Sequence, residues 1–75
     1  MKRLYRVIDY EDGRQEDHAP MVSGARTEAG FLKLFYQRWP TAPRGNFVAS
    51  VTADGGADIH TTTGKKVAAF QPKGS

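Results

Sequence analysis

Thr27-Glu28-Ala29-Gly30-Phe31-Leu32-Lys33-Leu34-Phe35-Tyr36-Gln37-Arg38-Trp39-Pro40 is the stretch that decides the fold. Phe31 and Phe35 stand four residues apart, as do Leu32 and Tyr36, and Trp39 prolongs the stripe from Phe35. That is the spacing of one helix face. Thr27 can cap the N-terminus by accepting from a free backbone N–H, and Glu28 suits the positive end of the helix dipole. Pro40 stops the helix, since it has no N–H and turns the preceding residue away from helical backbone. Lys33, Gln37 and Arg38 fall toward the other side. An aromatic stripe on a single helix has to be buried against a second layer.

That layer is written on both sides of the helix. Phe47, Ala49, Val51 and Ala53 alternate with Val48, Ser50 and Thr52, the period of a strand with one apolar side. Asp54-Gly55-Gly56 marks a hairpin turn, after which Ala57, Ile59 and Thr61 alternate with Asp58, His60 and Thr62. Thr63-Gly64-Lys65 is a second turn, and Val67 to Phe70 is a last strand ended by Pro72. Before the helix, Leu4 to Tyr10 is rich in β-formers, and Glu11-Asp12-Gly13-Arg14 supplies a tight turn. Arg14 to His18 reads as a polar, optional edge strand closed by Ala19-Pro20. Met21 to Ala25 reads as a loop. Short connections imply antiparallel pairing. The expected fold is α+β, a two-layer arrangement in which one helix covers an antiparallel sheet of four to five strands, in the order β-(β)-α-β-β-β. The helix aromatics and the apolar sides of the later strands are its expected core. The 75 residues make a single domain, with 71–75 expected as a flexible tail.

A 39% hydrophobic fraction with eight aromatics argues for a packed core. The chain has no cysteine, so it has no disulfide framework and no thiolate metal site. No run approaches the roughly 20 apolar residues of a membrane span, and no signal-peptide stretch follows the basic start. A cytoplasmic protein without a membrane partner is expected.

The enzyme classes find little support. His18 and His60 lie in polar surroundings and lack partners at catalytic or metal-ligand spacing, and Asp58 with His60 has no third ligand. No glycine-rich phosphate motif is present. No catalysis, cofactor, metal or small-molecule substrate is expected.

Charge is more informative. The net charge is +3, but Asp9, Glu11, Asp12, Glu16 and Asp17 gather five of the eight acids within nine residues. From Arg26 onward seven basic residues face three acids. Two binding surfaces follow. One is the acidic turn, with Tyr5, Tyr10 and Tyr36 as candidate anchors, since tyrosine and arginine dominate protein interfaces. The other is a basic set, Lys33, Arg38, Arg44, Lys65 and Lys66, which could meet nucleic-acid phosphates or an acidic partner. The alternative reading of the tyrosines is that their rings pack on the sheet with only the hydroxyls wet.

Three stretches carry a whole-chain resemblance. They are the opening Met1-Lys2-Arg3-Leu4-Tyr5-Arg6-Val7-Ile8, the helix from Arg26-Thr27-Glu28-Ala29, and the meander Gly45-Asn46-Phe47-Val48, Asp54-Gly55, Thr63-Gly64-Lys65-Lys66-Val67. In this order the chain resembles the small phage-encoded anti-CRISPR proteins that inhibit type I systems. The resemblance implies steric or competitive inhibition, in which the protein docks on a guide-RNA-loaded CRISPR surveillance complex and keeps target DNA out. Asp9, Glu11, Asp12, Glu16 and Asp17 would then mimic DNA phosphates toward lysines of the complex, or the basic side would meet an acidic surface or nucleic acid. A host-cell cytoplasmic location follows from the same resemblance.

Overall fold

The computed structural model describes residues 1–11 and 13–73. Its elements are β1 (Arg3–Glu11), β2 (Arg14–Ser23), α1 (Glu28–Arg38), β3 (Phe47–Val51), β4 (Ala57–Thr61) and β5 (Lys66–Pro72). The five strands form one antiparallel sheet in the order β2-β1-β5-β4-β3, and α1 packs on one side of it. This is the two-layer α+β fold that the alternations imply. Pairing of the first strand with the last, Val7 with Phe70 and Ile8 with Ala69, welds the N-terminal hairpin to the C-terminal meander. No helix among the described residues is long and apolar enough to cross a membrane.

The helix begins and ends where its caps dictate. Thr27 Oγ1 accepts from the Gly30 N–H at 3.2 Å, and the Trp39 N–H closes the last turn on the Phe35 carbonyl at 2.8 Å. Phe31, Leu34, Phe35 and Tyr36 are buried against Tyr5, Val7, Ala49, Ala57, Ile59, Ala68 and Phe70. Phe31 meets the Tyr5 ring edge-on at 5.4 Å and stacks on Phe70 at 6.2 Å.

Two boundaries differ from expectation, and both trace to prolines. β2 does not stop at Ala19-Pro20 but runs on to Ser23, so the segment read as a loop from Met21 is partly strand. Tyr5 pairs with Met21 and Val7 with His18, so Ala19 and Pro20 together oppose Arg6 alone. Such a bulge on an edge strand accommodates a residue without a ladder donor. β5 likewise continues through Gln71 and Pro72, which pair with Arg6 and Tyr5, and the Lys73 N–H donates to the Leu4 carbonyl at 2.9 Å. Residues 71–73 of the expected tail are therefore anchored. Gly74 and Ser75 lie outside the described residues.

Both later hairpins use three-residue loops closed by a left-handed glycine, Gly55 (φ 89°) and Gly64 (φ 96°). In the first, Asp54 accepts from the Thr52 hydroxyl and the Gly56 N–H, and these bonds hold its carboxyl below the usual aspartate range. A depressed carboxylate contributes stability that is present above its unfolded pKa and lost as pH falls through its folded pKa. Asp54→Ala is therefore expected to lower stability at neutral pH. The gap to the parent protein should close in acid, as denaturant midpoints measured against pH will show.

Candidate functional site

The β1–β2 register sorts the acidic residues. Asp9 lies directly opposite Glu16, and Ile8 opposite Asp17. Because side chains alternate along a strand, Asp9 and Glu11 share the helix side with Tyr5 and Val7, and Glu16 joins them by pairing. Asp17 points to the other side, where Arg6 holds it bidentately at 3.0–3.2 Å. The expected acidic set thus divides into a strip of Asp9, Glu11 and Glu16 and a neutralised Asp17. Asp12 lies outside the described residues.

The strip runs into a cleft of about 440 Å³ past the end of α1. Phe35, Trp39, Phe47 and Val67 give it an aromatic and aliphatic lining, and Asp9, Glu11 and Lys65 bring charge to it. The loop after the helix contributes Thr41, Ala42 and Pro43. Val67 is among the lining residues and packs on the helix-side core at a second bulge: Ile59 pairs with Ala68 and His60 with Lys66, leaving Val67 without an opposite number.

Beside the cleft, His18 forms a contact that the sequence does not announce. Expected in polar surroundings without partners, it sits mid-strand with its side chain only 20% exposed and its ring edge-on to Trp39 at 5.4 Å. Its Nδ1 lies 2.5 Å from Arg38 Nη2. Guanidinium only donates, so Nδ1 accepts and the ring proton belongs on Nε2. Nε2 faces Asp9 Oδ2 at 3.5 Å without a well-directed hydrogen bond. Arg38 also lies over the Trp39 ring at 5.4 Å, so Asp9, His18, Arg38 and Trp39 brace one another.

The tyrosine anchors need correction. Tyr5 is fully buried, with its hydroxyl donating to the Ala25 carbonyl at 2.9 Å and accepting from Arg26 at 3.0 Å. Tyr36 is also core, and its hydroxyl donates to the Pro43 carbonyl at 3.3 Å. Both rings serve packing and neither is free to anchor a partner. Tyr10 alone stays half-buried, with its ring beneath Lys66 on the side of the sheet away from the helix.

Three of the five basic residues are engaged within the fold. Lys33 is exposed on the middle of α1, Arg44 lies over the Tyr36 ring at 4.1 Å, and Arg38 is committed to His18. Lys66 is 3.4 Å from Asp58 and 4.7 Å from the Tyr10 ring centre. Only Lys65 of the five lines the cleft. Among the described residues no group of three or more histidine and carboxylate side chains is placed to hold a metal ion.

Like charges directly opposite in a sheet are destabilising. Asp9 and Glu16 are such a pair. Glu16→Lys turns this repulsion into attraction and is expected to stabilise the isolated protein by about 0.2–1 kcal/mol, measurable by urea unfolding. Comparison with known proteins finds no matching family model, no similar curated protein and no similar solved structure.

Proposed function

We propose that the protein is a non-catalytic protein-binding inhibitor, which docks through its acidic cleft end on a CRISPR surveillance complex and blocks target DNA binding. The single observation that carries the docking mode is a carboxylate strip beside an aromatic cleft: Asp9 and Glu11 line the cleft, and Glu16 stands opposite Asp9 in the sheet. Two of these carboxylates oppose each other at a cost to the free fold, and a basic partner surface relieves that cost on binding. Surfaces that hold nucleic-acid backbone are basic, so a carboxylate strip competes for them. The aromatic lining supplies the apolar contact that such an interface centres on. The choice of a type I surveillance complex as partner rests on the whole-chain resemblance.

Co-purification tests this reading. Tagged protein is expected to retain a guide-loaded type I surveillance complex, and the Glu11→Lys/Glu16→Lys variant to lose at least tenfold in affinity while staying folded. No retention of any such complex counts against the assignment. The alternative is a small nucleic-acid-binding module using Lys33, Arg38, Arg44, Lys65 and Lys66. That Arg38, Arg44 and Lys66 are already engaged with His18, Tyr36 and Asp58 within the fold supports the protein partner. Titration of labelled duplex DNA at about 50 and about 200 mM salt separates the two, because phosphate contacts give binding that collapses at the higher salt.

A further inference from the structure

We infer that β3 is a self-association edge, at which two copies of the chain pair antiparallel through Phe47–Val51 and join their sheets into one. The sheet has two edges, and they are treated differently. β2 carries a bulge, Pro20 and the charged Arg14, Glu16 and Asp17, the usual guards against strand addition. β3 is Phe-Val-Ala-Ser-Val: it has no proline, no charge and an unbroken register with β4. Val48 and Val51 stand 49% and 44% exposed on it.

The register shows which backbone groups are open. The Thr52 N–H donates to the Gly56 carbonyl at one end of the β3–β4 ladder, and the Thr62 N–H to the Asn46 carbonyl at the other. Backbone groups alternate in direction along an antiparallel strand, so Asn46, Val48, Ser50 and Thr52 point toward β4. Phe47, Ala49 and Val51 therefore direct N–H and C=O outward, where the described residues supply no strand.

A second copy of this same strand fits that pattern. A two-fold axis at Ala49 places Phe47 opposite Val51 of the second copy and Ala49 opposite its own equivalent. Each of these pairs exchanges two hydrogen bonds, so every outward group on both strands is used. Between them Val48 meets Ser50, and no charge opposes another. A stable interface uses about 800 Å² per partner, which a five-residue strand does not reach, so the dimer is expected to be weak and concentration-dependent. Of the strand residues Phe47–Val51, Phe47 also lines the cleft.

Light scattering over a dilution series reads the association directly. The mass is expected to move from the monomer's 8.3 kDa toward twice that value as concentration rises. Val51→Pro removes only an outward donor and leaves the β4 ladder intact, and Val48→Lys places a charge on the edge. Both variants are expected to stay monomeric throughout with an unchanged circular-dichroism spectrum. The register is tested by mixing a Val48→Cys chain with a Ser50→Cys chain under oxidation, since the parent has no cysteine. Mixed cross-links are expected in excess over both like-with-like products. A monomer at every concentration, a dimer that survives both edge variants, or a statistical mixture of cross-links overturns the inference.

Discussion

Gly56→Ala is expected to leave the protein largely unfolded. A Cβ at residue 56 would lie 2.1 Å from the Phe70 carbonyl oxygen, 3.2 Å from its carbon and 3.0 Å from Pro72 Cδ. The two nearest backbone atoms belong to β5, the strand that joins both halves of the sheet. Neither can swing aside as a side chain would. Relief requires β4 and β5 to part where Ala57 faces Phe70, one of the tightest layers of the core. Overpacking that side chains can absorb costs about 1–3 kcal/mol, and this contact exceeds it. Stability of roughly 0.05–0.15 kcal/mol per residue leaves a chain of this size little to spare. Gly64→Ala is the control, because a Cβ there meets nothing within 4 Å and only the positive φ is strained. It is expected to cost about 1–2 kcal/mol. Urea unfolding of both variants decides the matter, and a Gly56→Ala protein within 1 kcal/mol of the parent would refute the close approach.

Phe31→Ala is expected to cost about 3–5 kcal/mol. The ring is fully buried between helix and sheet, edge-on to Tyr5 and stacked on Phe70. Its removal strips contacts from the N-terminal strand and the C-terminal strand together. Those strands are held by backbone ladders and cannot close the void. Leu32, on the same helix but only partly buried, is the comparison: Leu32→Ala should cost clearly less. Denaturant midpoints with an unchanged m-value would confirm a loss of packing, and equal costs for the two would contradict this placement of the core.

The helix was legible because local signals agreed: Thr27 as cap, an aromatic period, and Pro40 just past the end. The β3–β4 and β4–β5 hairpins were legible for the same reason, since Gly55 and Gly64 sit where a three-residue loop needs a left-handed residue. What local reading missed depends on distant pairing. Pro20 and Pro72 look like strand stops, yet one is absorbed by an edge bulge and the other is paired beside Tyr5. The roles of the tyrosines hinge on the β1–β5 pairing, which drives Tyr5 into the core beneath the helix. His18 was invisible as a site residue because its partners, Asp9, Arg38 and Trp39, come from two other elements. The acidic cluster read as one patch from spacing, but strand alternation turned Asp17 away to Arg6 and left Asp9, Glu11 and Glu16 together.

The proposed function and the fold make opposite demands on Glu16. Its charge weakens the free protein by facing Asp9 and, in this account, strengthens the complex. Glu16→Lys should therefore raise unfolding stability and lower partner affinity in the same molecule. A residue that served solubility alone would move neither in this paired way.

The most direct measurement is binding of a labelled target duplex to a guide-loaded type I surveillance complex with increasing amounts of this protein. DNA binding is expected to be lost as the protein reaches stoichiometry with the complex. The Glu11→Lys/Glu16→Lys variant should leave DNA binding largely intact. Undiminished DNA binding in a saturating excess of the parent protein would contradict the proposed inhibition.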